Sequence, residues 1–145
     1  MTVILRPEEA IKKIKTVAVV GASRNPSKDA GMVPAYLKEA GFKIIPINPK
    51  ADEILGEKVY RSLLEIPEEI AEGIDAIQVF RPSTEAERIV EDVIKLSRST
   101  GRKYIVWFQY GTHTTEAIRK ALDAGLDVVY NSCMMETHMR AVKSP

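Results

Sequence analysis

Thr16-Val17-Ala18-Val19-Val20-Gly21-Ala22-Ser23 decides the fold of this chain. An apolar, β-branched run without polar alternation describes a strand covered on both faces, and the glycine that stops it lets the backbone turn sharply. Four further runs, residues 43–48, 76–80, 103–108 and 126–130, have the same character. Helical patterns separate them. Residues 32–40 end at Gly41, and residues 62–71 carry Leu63, Leu64 and Ile70 with Gly73 beyond. Thr84 and Glu87 form a capping-box signature ahead of Ala86, Ile89, Val90, Val93 and Leu96, closed by Gly101. Thr114 or Thr115 caps a last helix with Ala117, Ile118, Ala121 and Leu122 on one face and Gly125 at its end. Residues 56–60 read as a small extra strand or a loop. Parallel neighbours need right-handed crossovers, so this alternation predicts an α/β fold: a Rossmann-like, doubly wound parallel sheet of about five strands with helices on both faces. The first strand is expected at the centre, and a ligand beyond the carboxyl ends of the strands, where strand order reverses.

Composition bounds the function. A length of 145 residues, 45% hydrophobic and 28% charged, suits one domain spanning residues 1–145. A net charge of +1 provides no global field toward nucleic acid or a membrane surface, so an anionic ligand must be met locally. No run approaches the roughly 18 apolar residues of a membrane span, and no export signal is evident, so a cytoplasmic protein is expected. The one cysteine, Cys133, fits a reducing compartment. The abundance of Lys, Glu and Ile matches thermophile usage.

The candidate site residues lie where strands end. Gly21, Ala22, Ser23 and Arg24, with Asn25, Ser27 and Lys28 behind them, follow the first strand; amides opening the next helix suit a phosphate, with hydroxyls and basic side chains adding bonds and charge. The dinucleotide fingerprint Gly-x-Gly-x-x-Gly is not met, because Ser23 and Pro26 stand at its second and third glycines. The acidic residue expected after the second strand is likewise replaced by Asn48-Pro49-Lys50, which suits a ribose phosphate better than a free diol. Phe80, Arg81 and Pro82 close the third strand: Phe80 lies against a flat base or packs in the core, and Arg81 meets phosphate or a surface acid. Phe108, Gln109, Tyr110 and Gly111 close the fourth, where the Gln109 amide can donate and accept toward a ligand; Trp107 reads as core. Cys133, after the fifth, either faces the cleft or is an inert buried thiol. There is no Gly-x-x-x-x-Gly-Lys-Ser/Thr loop for independent ATP use and no evident proton donor, so no independent catalytic activity and no metal site are expected.

Taken together, Thr16 to Ser23, residues 45–50, Val79-Phe80-Arg81-Pro82, Phe108-Gln109-Tyr110-Gly111 and Asn131-Ser132-Cys133 resemble the single-domain coenzyme A-binding proteins. These are similar to the amino-terminal domain of the succinyl-CoA synthetase α subunit. The resemblance runs from about Ile11 to Met139 and implies coenzyme A or an acyl-CoA as ligand. It implies that Gly21, Ala22, Ser23 and Arg24 lie along the pyrophosphate, with Lys50 or its neighbour near the adenosine phosphates. It implies that Phe80, Arg81 and Pro82 border the nucleotide, that Phe108, Gln109 and Tyr110 flank the pantetheine, and that Cys133 stands near the coenzyme thiol, opening a redox link. Neither His113 nor His138 matches the phosphorylated histidine of the synthetase's second domain, and both read as loop or surface residues. An NAD(P)-binding oxidoreductase and a subunit of an acyl-CoA ligase are the alternatives.

Overall fold

The computed structural model describes residues 3–143. In chain order its strands are β1 (Thr16–Val20), β2 (Lys43–Ile47), β3 (Glu53–Ile54), β4 (Glu57–Lys58), β5 (Ala76–Val79), β6 (Ile105–Phe108) and β7 (Asp127–Val129). The helices are α1 (Pro7–Ala10), α2 (Asp29–Glu39), α3 (Glu68–Ala71), α4 (Ala86–Thr100), α5 (Thr115–Asp123) and α6 (Met134–Lys143). Five strands form one parallel sheet in the order β2-β1-β5-β6-β7. This is the doubly wound α/β fold expected. The centre, however, is β5 rather than β1; β1 is internal, with β2 on one side and β5 on the other, so strand order reverses between β1 and β5.

Each strand feeds two cores because its side chains alternate. Ala18, Ile45, Ile77 and Phe108 pack toward α3, α4 and α5, whereas Val17, Ile44, Trp107 and Val129 pack toward α1, α2 and α6. In α4, Ile89, Val90, Val93 and Leu96 are all buried, and each contributes about 1.5–3 kcal/mol of apolar burial. Trp107 is fully buried, as expected of a core residue, and its indole N–H donates to the Ser132 carbonyl at 2.9 Å.

The helix boundaries correct two sequence expectations. The predicted helix over 62–71 is two pieces, a 3-10 turn at Leu63–Glu65 and the short α3, because Pro67 has no N–H to give and biases Ile66 to the extended conformation (φ −69°, ψ 127°). The Thr84/Glu87 capping box does not form. The chain enters α4 through a 3-10 turn at Ser83–Glu85, and no side chain caps its first amides. Residues 56–60 belong to a hairpin: β3 and β4 pair antiparallel across Leu55 (φ 55°) and Gly56 (φ 74°), two successive positive φ angles as a tight right-twisted turn requires. The cap on α5 is Thr114, whose hydroxyl accepts from the Ala117 N–H at 3.0 Å. Among the described residues, no helix is long and apolar enough to cross a membrane.

Candidate functional site

The loop after β1 is built as a scaffold before it is a ligand site. The Gly21 and Ala22 N–H groups both donate to the Ile47 carbonyl, at 3.1 and 3.2 Å, and the Ser23 N–H donates to the Ala30 carbonyl at 3.0 Å. That last bond has a cause in the sequence. An ordinary helix would give the Ala30 carbonyl the N–H of residue 34, but residue 34 is a proline, so this acceptor is left for the loop. Ser23 Oγ accepts from the Asn25 N–H, and Asn25 Oδ1 accepts from the N–H and the hydroxyl of Ser27. The side chains expected to reach a phosphate therefore fold the loop itself.

The free donors lie one step further on. The N–H groups of Asp29 and Ala30 open α2 and have no acceptor among the described residues. They carry the positive end of the helix dipole, and both residues border the groove near the point where strand order reverses. Gly31 makes this approach possible: a Cβ there would stand 2.1 Å from the Asn25 carbonyl oxygen and 3.0 Å from that of Ser23. Only the fold shows the contact that requires a glycine at position 31.

The groove has two adjoining cavities that share Ala30 and Phe80. The larger, about 580 Å³, lies beyond β1, β2 and β5 and is basic, with Lys28, Lys50, Arg61, Arg81 and Arg88 set against Glu85 and Asp92. Glu85 grips two of these cations: Arg81 Nη2 lies 2.6 Å from Glu85 Oε2 and Arg88 Nη2 lies 2.9 Å from Oε1. The hydrogen bond from Arg81 holds the Glu85 carboxyl below the usual carboxylate range and holds the guanidinium more firmly charged. Asn48 is structural at this edge, its amide donating to the Ala22 carbonyl at 2.9 Å and its oxygen accepting from the Lys50 and Ala51 N–H groups.

The smaller cavity, about 270 Å³, lies between the starts of α2 and α6 and is lined by Gln109, Tyr110, Cys133 and Glu136 among others. Gln109 is 4% exposed. Its Oε1 accepts from Gln78 Nε2 at 3.1 Å and from the Met134 N–H at 2.9 Å, so it caps α6 from a neighbouring strand. Its carboxamide nitrogen has no partner among the described residues and is available to a ligand. The Tyr110 hydroxyl donates to Glu136 Oε1 at 2.6 Å, and that bond raises its pKa.

Gly21, Ala22, Ser23, Lys28, Asn48, Lys50, Phe80 and Arg81 thus border the larger cavity, and Gln109, Tyr110 and Cys133 the smaller. Four other candidates border neither. Arg24 donates to the Glu53 carbonyl of the hairpin at 3.1 Å, Pro82 starts the turn into α4, Phe108 is wholly buried against the other core, and the Gly111 N–H donates to Asn131 Oδ1. His113 is a half-buried loop residue, as expected, whereas His138 sits on α6 with its Nδ1 2.8 Å from the Tyr36 hydroxyl and its ring packed on Phe42. Arg61, Glu85, Arg88 and Asp92 went unnoticed in the sequence. They carry no local signature and converge only through the hairpin and the first turns of α4.

The chain resembles known proteins over most of its length. The sequence profile of the family described as CoA binding domain matches residues 15–139. The YneT protein of Bacillus subtilis (strain 168) is 32% identical over 131 residues, 90% of each chain. The ADP-forming acetate–CoA ligase II of Archaeoglobus fulgidus is 48% identical over 65 residues, which are 43% of this chain and 10% of that protein. The solved structure of a hypothetical protein from Pyrococcus horikoshii OT3 superposes with a TM-score of 0.83 at 40% identity, over 95% of this chain and 93% of that one.

Proposed function

We propose, since this chain belongs to the coenzyme A-binding domain family, that its groove holds coenzyme A with the nucleotide in the basic cavity and the thiol end toward Cys133. The observation that carries this reading is the two-part groove itself. A basic cavity at the reversal of strand order adjoins, at Ala30 and Phe80, a smaller cavity bordered by a thiol and by a carboxamide whose nitrogen has no partner among the described residues. The residues fit the group. The Asp29 and Ala30 N–H groups with Lys28 would meet the pyrophosphate, Lys50, Arg61 and Arg88 the nucleotide phosphates, and Gln109 an amide of the pantetheine. Coenzyme A supplies a thiol able to carry acyl groups; the chain binds it, orients it and half-shields its sulfur. An NAD(P)-linked oxidoreductase has less support. The end of β2 offers Asn48-Pro49-Lys50 where a ribose diol needs a carboxylate.

Melting in the presence of ligands tests the reading. A ligand bound only to the folded state at one hundred times its Kd adds about 2.7 kcal/mol, which raises Tm by about 5–10 °C in a chain of this length. Coenzyme A is expected to produce that shift, and NAD and NADP none. A shift with NAD or NADP and none with coenzyme A overturns the proposal.

A further inference from the structure

The two ends of the groove differ in charge. Five basic side chains border the nucleotide cavity, whereas the cavity at Cys133 is bordered by Asp29 and Glu136 and by no Lys or Arg. Glu136 sits in the first turn of α6, where it offsets the dipole that would otherwise favour an incoming anion. Glu136 is also fixed in direction, because the Tyr110 hydroxyl donates to it at 2.6 Å. That hydroxyl is thereby spent. The Thr112 hydroxyl is spent too, on the Gln109 carbonyl at 2.8 Å, and the Met134 N–H on Gln109 Oε1. Arg140, one turn along α6 from Glu136, does not border the cavity and lies 3.8 Å from Glu8, although its charge reaches the Tyr110 hydroxyl and opposes the stronger effect of Glu136 there. What the cavity offers an acyl group is neutral donors only: the carboxamide nitrogen of the nine-tenths buried Gln109, which has no partner among the described residues, and main-chain N–H groups. A neutral donor suits a thioester carbonyl. It does not offset the like charge of Glu136 facing a carboxylate.

We infer that this end of the groove admits a free thiol or an uncharged short acyl chain and excludes acyl chains ending in a carboxylate, with Glu136 as the specificity-determining side chain. The inference rests on the coenzyme A reading and deepens it.

Calorimetry with coenzyme A, butyryl-CoA and succinyl-CoA tests it, since the two thioesters differ by a terminal methyl against a carboxylate. Butyryl-CoA is expected to bind within a few-fold of coenzyme A, and succinyl-CoA at least about tenfold more weakly at low salt. The readout in variants is the succinyl-to-butyryl affinity ratio, which a general loss of binding does not move. Glu136→Gln narrows the ratio, whereas Asp29→Asn, at the pyrophosphate seat, leaves it unchanged. Equal affinities of the two thioesters for the wild type overturn the inference while leaving the coenzyme A reading intact. So does a ratio unchanged in Glu136→Gln, or coenzyme A binding with neither thioester bound. Failure of all three ligands to bind overturns the coenzyme A reading itself.

Discussion

Gly31→Ala reduces coenzyme A affinity at least about a hundredfold, although in most helices the same change stabilises. Alanine in place of glycine inside a helix is worth about 1 kcal/mol of propensity. Here the added Cβ would lie 2.1 Å from the Asn25 carbonyl oxygen, which is backbone and has no flexible end to swing away. The loop over residues 23–28 must therefore retreat by roughly 1 Å to reach an ordinary contact, and a displacement of that size at a binding centre costs on the order of a hundredfold. The retreat also breaks the Ser23 N–H bond to the Ala30 carbonyl and exposes the seat formed by the Asp29 and Ala30 amides to a mobile loop. Gly73→Ala is the control: its Cβ would meet only the Ile70 carbonyl oxygen at 3.5 Å, an ordinary contact remote from the groove. Calorimetry on both variants reads the result. Wild-type affinity in Gly31→Ala would mean that the loop does not shape the site.

Cys133 forms a mixed disulfide with coenzyme A when the protein is incubated with coenzyme A disulfide, and nearly all chains are modified. The thiol is 5% exposed yet borders the smaller cavity, so it is reached through the groove rather than from bulk solvent. In the exchange, Cys133 Sγ, as thiolate, attacks one sulfur of the added disulfide; the S–S bond breaks, coenzyme A thiolate leaves, and one protein–coenzyme disulfide remains. Docking of the nucleotide holds the sulfurs together at high effective concentration, so the reaction runs at least about tenfold faster than with glutathione disulfide, which lacks that anchor. Intact mass should show one reducible coenzyme A adduct on the wild type and none on Cys133→Ser. A wild type that binds coenzyme A but stays unmodified would reduce Cys133 to packing.

The parts of this site written in local sequence were readable. The buried runs at β1, β2, β5, β6 and β7 and the glycine after Val20 announce a doubly wound sheet, because covered parallel strands have no polar alternation to disguise them. Pro67 was equally visible, but the apolar spacing of Leu63, Leu64 and Ile70 hid the break it causes. Other features exist only in three dimensions. No helix was expected over Met134–Lys143, because its cap is the Gln109 side chain of a neighbouring strand and its buried face includes Thr137, a polar residue bonded to the Cys133 carbonyl. Arg24 looked like a phosphate ligand until the hairpin carbonyl at Glu53 claimed it. Thr84 and Glu87 met the capping-box pattern, yet Pro82 starts a 3-10 turn that takes Thr84 out of the cap position.

Native mass spectrometry of the protein mixed with equal concentrations of coenzyme A, NAD and NADP tests coenzyme A binding directly. One coenzyme A per chain is expected as the dominant bound species, retained in the wild type and lost in Gly31→Ala. Retention of NAD or NADP in its place, or of none of the three, would contradict it.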